Sequence, residues 1–192
     1  MSKKLEGKDK KVSFPFIEGK LIDLCALNSE SVKLFVKWVN NPKVRHYARN
    51  VLPSTVEEMK KFFESQEFKE RTFVDFEIWH KIDKKNIGDV GLFNINWYDC
   101  KAYVGLMIGE SEYWGQGIGT EAIKLITDYG LKELNLNKLY AIVFAPNKAS
   151  RRCFEKNGYK SEALLKQDVY IDGEFLDTNL YSILKEELMK SQ

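Results

Sequence analysis

A glycine-rich stretch directly before an amphipathic segment is the part of this sequence best suited to chemistry. It runs Gln116-Gly117-Ile118-Gly119-Thr120, and apolar residues recur at helical spacing in the segment that follows. The first backbone N–H groups of a helix have no partner inside the helix and carry partial positive charge. They bind phosphate groups when glycines allow a close approach. The stretch predicts either a phosphate-binding loop or a simple tight turn.

Two familiar nucleotide-binding motifs fit this stretch poorly. A Walker A loop needs Gly-Lys-Ser or Gly-Lys-Thr, and neither occurs here. A dinucleotide fingerprint matches Gly117, Gly119 and Ala122 nominally, but it also needs an acidic residue at the end of the next strand. The next apolar run, residues 138–145, ends without one. Coenzyme A is the third candidate, because its pyrophosphate can be held without that acid.

The elements around the loop predict an α/β domain of the α+β type. Short polar breaks separate strand candidates at 73–82, 88–97 and 102–108, so the first half should form an antiparallel meander. The other expected elements are a strand at 20–27, helices at 29–39 and 55–66, a helix after the glycine loop, a strand at 138–145, a helix from 146 to 158, and strands at 163–171 and 175–184. We therefore expect a mixed, mostly antiparallel central sheet flanked by helices.

Size and composition agree with one domain, placed at 18–187 after a flexible basic tail at 1–17. Of the 192 residues, 44% are hydrophobic, which is enough for a core. The formal net charge of +2 gives no bulk attraction to nucleic acid or anionic lipid. Three cysteines without CxxC spacing and two histidines favour neither a disulfide scaffold nor a metal site. No apolar run is long enough to span a bilayer, so we expect a cytoplasmic protein without metal, nucleic-acid or membrane partners.

Several motifs follow one another in an order that resembles a known family. They are residues 19–24, 38–44, 113–122, 147–150 and 155–159, followed by Asp172-Gly173, Asp177 and Tyr181-Ser182. Over about residues 18–185 the chain is similar to the GNAT acetyltransferases, and within them to the RimJ/RimL-like branch. The resemblance implies a GNAT-like fold and direct transfer of an acetyl group from acetyl-CoA to a substrate amine.

The resemblance also implies which residues bind acetyl-CoA. They are Met107, Ile108, Gln116, Gly117, Ile118, Gly119, Thr120 and Asn147. Arg152 is a further candidate, because it belongs to a basic cluster on one short predicted helix that could meet the phosphates of coenzyme A or form a solvated face. Within this set the backbone of 116–120 would hold the pyrophosphate, and Met107 and Ile108 would pair with the pantetheine arm. Asn147 and Ser150 would face the thioester. A valine at Gly119 is expected to block binding by filling the place of the phosphate.

Asn147, Ser150 and Tyr103 are the catalytic candidates. Phe154 stands where many members have the tyrosine that protonates the leaving thiolate, and Tyr103 stands where many have a glutamate. A thiol has a pKa near ~8.5, so a dedicated acid is helpful rather than essential, and Ser150 could donate in place of Phe154. Asn147 is equally suited to cap the helix that follows Pro146.

The general base is left open by the sequence. Asp75, Glu77, Asp89 and Asp168 are candidates, although carboxylates on strands most often lie on a solvated face. The α-amine of a peptide titrates near ~8 and is partly neutral at pH 7, whereas a lysine-like amine near ~10.4 must be deprotonated by the site. Without the family's glutamate, the sequence favours an α-amine acceptor.

The predicted function is therefore N-acetylation of a primary amine, with the α-amine of a protein N-terminus as the first candidate. A small-molecule amine is the alternative, because residues 134–140 resemble those of spermidine N-acetyltransferases. A non-catalytic acyl-CoA sensor is the alternative from another class, since Phe154 and Tyr103 depart from the usual acid and base. The partner would be the amine acceptor, and the chain would act as a monomer or homodimer.

Overall fold

A single eight-stranded sheet organises the computed structural model, which describes residues 14–49, 51–64 and 72–190. The strands are Pro15–Glu18 (β1), Ile22–Ala26 (β2), Val74–His80 (β3), Lys85–Asn96 (β4), Lys101–Ile108 (β5), Lys138–Phe144 (β6), Lys160–Ile171 (β7) and Glu174–Leu184 (β8). Their order is β1-β2-β3-β4-β5-β6-β8-β7. Neighbouring strands are antiparallel except β5 and β6, which are parallel. The expected α+β class with a mostly antiparallel sheet is confirmed.

Six helices accompany this sheet in the described residues. They are Val32–Val39 (α1), Pro42–Ala48 (α2), Val56–Glu64 (α3), Ile118–Asp128 (α4), Lys148–Lys156 (α5) and Lys185–Lys190 (α6). The spacing of Thr55 and Glu58 in the sequence predicts a capping box at the start of α3, and it is present: the Thr55 hydroxyl accepts from the Glu58 N–H at 3.2 Å, and the Glu58 carboxylate accepts from the Thr55 N–H at 2.8 Å. The expected end of this helix at Gln66 lies outside the described residues.

The segment 40–48 differs from the expectation. The sequence predicts a first helix over 29–39 that stops at Asn40-Asn41-Pro42, and α1 does end at Val39. The chain then starts a new helix at once, because Pro42 occupies the first turn and the Asn41 side chain accepts from the Lys43 N–H at 3.0 Å. The same Asn-Pro pair thus begins α2.

The N-terminal part of the chain also holds more structure than expected. Residues 1–13 of the predicted tail lie outside the described residues, but Pro15–Glu18 at its end pairs with β2 as strand β1. The Phe16 ring stacks on Phe76 of β3 at 5.5 Å between centroids. Phe16 itself stays 60% exposed, so the contact covers one side of its ring and adds to the backbone pairing of β1 with β2.

Two hydrophobic layers cover the sheet. On one face α4 packs against β2, β4 and β5, and Ile118, Ala122 and Ile126 lie fully buried there. On the other face Phe35 and Trp38 of α1 and Val44 of α2 form a smaller cluster, against which Met107 packs. Because side chains alternate along a strand, the odd-numbered residues of β5 face α1 and the even-numbered ones face α4. We call the side under α1 the upper face and the side under α4 the lower face.

Candidate active site

The sheet splits between β5 and β6, and this split lies at the centre of the candidate site. The two strands pair only at Lys101–Lys138, Ala102–Leu139 and Tyr103–Tyr140 in the described ladder. Beyond these pairs β5 continues to Ile108 along β4, and β6 continues to Phe144 along β8. The end of β5 therefore presents backbone N–H and C=O groups to a gap rather than to a strand, which is a ready pairing edge for an extended ligand.

Met107 and Ile108, the predicted pantetheine partners, lie on this edge of β5. Both are half-buried. The Ile108 carbonyl already accepts a hydrogen bond from the Trp114 indole N–H at 2.8 Å, which uses part of its acceptor capacity. Trp114 thereby holds the glycine loop against the end of β5.

The glycine loop ends at the N-terminus of α4, close to the split. Gly117 is the N-cap residue, and no side chain caps this helix. Gly115 and Gly117 have φ of 76° and 85°, in the left-handed region that glycine adopts readily, and a Cβ at either position would meet no atom within 4 Å. The Glu121 N–H donates to the Gly117 carbonyl at 3.0 Å, as the first regular helical bond. The free N–H groups before it form an anion-binding terminus with open space in front.

A side chain at residue 119 would point in a different direction from the one expected. A Cβ on Gly119 would lie 3.3 Å from Cδ2 of Leu106 and 3.5 Å from Sγ of Cys153, so it would point into the packing between α4, β5 and α5. The predicted clash of a side chain with a bound phosphate is therefore wrong in its geometry. The glycines whose conformation shapes the loop are Gly115 and Gly117.

The other loop residues have structural partners. The Gln116 side chain donates to the Glu112 carbonyl at 2.6 Å and so braces the turn. The Thr120 hydroxyl lies 3.5 Å from Sγ of Cys153, and its carbonyl accepts from the Asn157 amide at 2.9 Å. Because both side chains are engaged, the groups of 116–120 that are suited to a ligand are backbone N–H groups.

Helix α5 begins on the other side of the split, after β6. The Asn147 side chain accepts from the Ser150 N–H at 3.1 Å and is the N-cap of α5. Asn147 and Ser150 are half-buried, whereas Phe154 is buried in the core with its ring 5.0 Å from that of Tyr159. The capping role of Asn147 is present, and its remaining amide N–H groups and the Ser150 hydroxyl are the polar groups at this helix start.

The basic residues of α5 lie at the surface. Arg152 is exposed, while Arg151 lies 3.6 Å from Glu155 on the next turn. The structure therefore leaves Arg152 accessible to a phosphate group in solution.

Tyr103 lies on the upper face where the split begins. Its ring is 5.8 Å from that of Tyr140, the residue opposite it on β6. Burial raises the pKa of Tyr103, against the opposing effect of the nearby Arg49 cation. Its hydroxyl is therefore protonated at neutral pH and is a hydrogen-bond donor rather than a base.

An aromatic recess of about 340 Å³ adjoins the split on the side of α2. It is lined by Pro42, Lys43, His46, Tyr47 and Trp114. The Tyr47 ring lies 5.8 Å from Trp114 and 6.0 Å from Phe144, so it spans the ends of β5 and β6. His46 lies 3.5 Å from Asp172 in the β7–β8 turn. The sequence gives no sign of this recess, because the helix α2 that supplies four of its five lining residues is not predicted.

Two of the four carboxylate candidates lie near each other on the upper face, contrary to the expectation of a solvated surface. Asp75 and Asp89 are half-buried on adjacent strands. Burial raises the pKa of Asp75 to about 7, and burial together with the Asp75 charge raises that of Asp89 well above its usual range. Glu77 is buried and accepts from the Asn28 N–H at 3.0 Å, whereas Asp168 is exposed and accepts from the Thr178 hydroxyl at 2.6 Å.

The arrangement has a clear counterpart among known proteins. Residues 23–160 match the family described as the acetyltransferase (GNAT) domain. The N-acetyltransferase YoaA of Bacillus subtilis (strain 168) is 29% identical over 90% of this chain and 98% of its own. The mouse alpha/beta-tubulin-N-acetyltransferase 9 is 30% identical over 76% of this chain and 64% of its own.

A solved structure shares the fold. The spermidine N-acetyltransferase of Vibrio cholerae, in complex with CoA and spermine, superposes with a TM-score of 0.81. It is 23% identical and the match covers 89% of this chain and 99% of that one. The chain therefore belongs to the GNAT acetyltransferase family and is an N-acetyltransferase that uses acetyl-CoA as its acyl donor. The open edge of β5 and the uncapped N-terminus of α4 fit that donor, since one can pair with an amide-bearing arm and the other can hold a pyrophosphate.

Two further findings concern partners. No helix in the described residues is long and apolar enough to cross a membrane. Across 14–49, 51–64 and 72–190, no group of three or more histidine, cysteine, aspartate or glutamate side chains is placed to hold a metal ion.

Proposed function

We propose that this protein acetylates the α-amine of a protein N-terminus, as RimJ/RimL-type enzymes do. The split between β5 and β6 and the open N-terminus of α4 lie at the same place in the fold and support the binding of acetyl-CoA there. The observation that supports an α-amine acceptor is Tyr103, a protonated hydroxyl where many members have a glutamate. Acetyl-CoA supplies an activated acetyl thioester at such a site. The protein supplies binding, orientation and proton transfer.

The loop and strand residues would bind the donor. The N–H groups of 117–120 would hold the pyrophosphate at the positive end of α4, with Arg152 available for a further phosphate. The backbone of Met107 and Ile108 would pair with the pantetheine arm along the open edge of β5. The thioester would then lie between this edge and the start of α5.

Asn147 and Ser150 would act near the reacting bond. The Ser150 hydroxyl is suited to donate a proton to the leaving thiolate, since Phe154 has no donor. A thiol pKa near ~8.5 makes this assistance modest in size. Tyr103, protonated at neutral pH, is suited to donate a hydrogen bond to the acceptor or to a water beside it.

A small-molecule amine, such as a polyamine, is the second proposed acceptor. The structural neighbour that binds CoA and spermine supports it, as does the aromatic recess, because aromatic rings attract ammonium groups at about 6 Å or less. We further propose that the protein acts in the cytoplasm as a monomer or homodimer.

A competition assay tests both acceptors together. The protein is given acetyl-CoA with equal concentrations of spermidine and a short peptide with a free N-terminus, and the products are identified by mass. Acetylated peptide in excess supports the first proposal, and acetylated spermidine in excess supports the second. Acetyl-CoA binding without transfer to either amine, or to a panel of other primary amines, would instead favour a non-catalytic acyl-CoA sensor.

A further inference from the structure

The turn between β3 and β4 carries a carboxylate that the site description leaves without a role. Oδ2 of Asp83 in this turn accepts a hydrogen bond from the Tyr113 hydroxyl. The same oxygen lies 3.0 Å from Nδ1 of His80 at the end of β3, and the Asp83 backbone N lies 3.3 Å from that nitrogen. A protonated Nδ1 donates to the carboxylate, and an unprotonated Nδ1 accepts from the N–H. His80 is thus bound to Asp83 in either form.

The two side chains that meet at Asp83 are buried and touch each other. The rings of His80 and Tyr113 lie 4.9 Å apart between centroids, and Tyr113 belongs to the main hydrophobic core. The hydrogen bond from Tyr113 lowers the pKa of Asp83, with smaller contributions from His80 and Lys85, so Asp83 is ionised at neutral pH and Tyr113 is the donor. A hydrogen bond to an ionised acceptor is roughly twice as strong as a neutral one.

Tyr113 leads directly into the glycine loop. It ends a single 3₁₀ turn over Ser111–Tyr113, and one residue separates it from Gly115. Gly115 and Gly117 both have φ in the left-handed region, and glycine changes its backbone conformation more readily than other residues. A segment with two such glycines does not fix its own position. Contacts at its two ends must therefore fix it, and these ends are α4 and Tyr113.

The bond to Asp83 gives the loop a second attachment to the sheet. The Trp114 indole donates to the Ile108 carbonyl at the end of β5, six positions away in the sequence. The Tyr113 hydroxyl donates to a residue 30 positions away, in the turn between β3 and β4. Attachment to two separate places on the edge of the sheet restricts rotation of the loop more than either attachment alone.

We propose that the Tyr113 hydroxyl, Asp83 and His80 form a positioning network that holds the glycine loop in the conformation that binds the pyrophosphate of acetyl-CoA. Tyr113 acts on the loop, Asp83 fixes the Tyr113 hydroxyl, and His80 orients Asp83. All three are positioning residues, which act through the backbone N–H groups of the loop. The inference rests on the proposed function, because that proposal assigns the pyrophosphate to this loop.

The expected effect of breaking the network is weaker binding of acetyl-CoA. The apparent Kd is the intrinsic Kd divided by the fraction of molecules in the binding-competent conformation. A loop that is competent for about a fifth of the time binds about fivefold more weakly than one that is always competent. Tyr113→Phe and Asp83→Ala should each raise the Kd by about fivefold in isothermal titration. The double variant should lose no more than either single one, since both changes remove the same hydrogen bond.

The sign of the Asp83→Ala effect separates positioning from direct electrostatics. Acetyl-CoA is an anion, so removal of a nearby carboxylate would by charge alone strengthen its binding. The network predicts weaker binding instead. Asp99→Ala is the matched control, because Asp99 lies at the opposite end of β4, pairs with Lys101 at 3.0 Å, and has a side chain 44% exposed against 45% for Asp83. This control should keep its Kd within about twofold of wild type.

Two variants of His80 test whether it acts through its hydrogen bond to Asp83. His80→Ala removes the hydrogen bond and the ring, whereas an asparagine amide at residue 80 can replace the hydrogen bond without the ring. His80→Asn should therefore recover most of the affinity that His80→Ala loses. In both variants the KM for acetyl-CoA should rise while kcat at saturating acetyl-CoA stays within about twofold, with whichever of spermidine or the N-terminal peptide is acetylated. Equal losses of affinity in the two variants would remove His80 from the network.

The remaining outcomes are distinct. An unchanged Kd in Tyr113→Phe and Asp83→Ala, even with a lower Tm, would overturn the inference, and so would tighter binding by Asp83→Ala. Losses that multiply to about 25-fold in the double variant would also overturn it, because the two side chains would then act separately. If Tyr113→Phe fails to fold, Asp83→Ala still tests the network, since Asp83 is exposed. A wild type that binds acetyl-CoA but acetylates no amine would refute the proposed transfer and leave this inference standing, because binding is measured without turnover.

Discussion

Replacement of Gly117 by alanine tests how the glycine loop works. Gly117 has φ of 85° with open space around its Cα, so an added methyl group meets no atom and the effect comes from backbone conformation alone. A non-glycine residue is about 1–2 kcal/mol less stable in the left-handed region. In the free protein the loop should relax from this conformation, which turns its N–H groups away from the phosphate position.

The expected loss of affinity follows from that conformational free energy. Restoring the loop on binding would require about 1–2 kcal/mol, which corresponds to a roughly 5- to 30-fold weaker acetyl-CoA affinity. A ligand at ~100 times its Kd stabilises a protein by about 2.7 kcal/mol, and at ~10 times by about 1.4 kcal/mol. For a tenfold loss, the acetyl-CoA-induced rise in Tm should therefore fall by about half.

The assay is thermal unfolding with and without acetyl-CoA, with NAD as the control ligand and Gly119→Ala as the matched variant. A methyl at Gly119 would touch Leu106 and Cys153 inside the packing, so this variant should change the Tm of the free protein more than its response to acetyl-CoA. The reverse pattern, with Gly119→Ala unresponsive and Gly117→Ala normal, would refute the geometry of the loop described above.

Three other predictions address the helix start, the leaving group and the buried carboxyl. Asn147→Ala removes the N-cap of α5 and should lower stability by about 1 kcal/mol. Asn147→Asp keeps the cap and should lower only turnover. A loss of Tm in both variants would contradict separate capping and catalytic roles for this side chain. Ser150→Ala should lower kcat by about tenfold or less while leaving the KM for acetyl-CoA unchanged, as measured by steady-state kinetics; an unchanged kcat would exclude Ser150 as the donor. Because the pKa of Asp75 is raised, the folded state binds more protons than the unfolded state between about pH 4 and 7. The contribution of Asp75 to stability is therefore full below about pH 4 and declines as the pH rises to 7. Asp75→Asn should flatten this part of a plot of Tm against pH, and parallel curves for the variant and the wild type would contradict the prediction.

Local patterns in the sequence predicted the elements around the site well. The capping box at Thr55, the Asp172-Gly173 hairpin and the glycine loop before α4 are set by interactions within a few residues, and each is present. The pair Asn41-Pro42 shows the limit of such signals. It both ends one helix and starts the next, and the packing of Val44 against Phe35 and Trp38 adds a long-range contact to the Asn41 cap and Pro42 that begin α2.

The missed features of the site depend on contacts between distant segments. A Cβ at Gly119 would point at Leu106 on β5 and Cys153 on α5, which are distant in sequence, so the residues around the loop do not reveal that contact. The nearness of Asp75 and Asp89 depends on the register between β3 and β4, which local sequence patterns do not give. Gly91 was an available signal, since a glycine inside a strand often marks close approach by another group, here the Asp75 carboxyl.

The short ladder between β5 and β6 has a mechanical consequence. Three residue pairs, together with the bond that the Asn137 N–H donates to the Cys100 carbonyl, link the backbones across this seam in the described residues. Strands β1–β5 and β6–β8 are otherwise joined through the core around α4. An extended ligand paired along β5 would act as a removable strand that stiffens the seam.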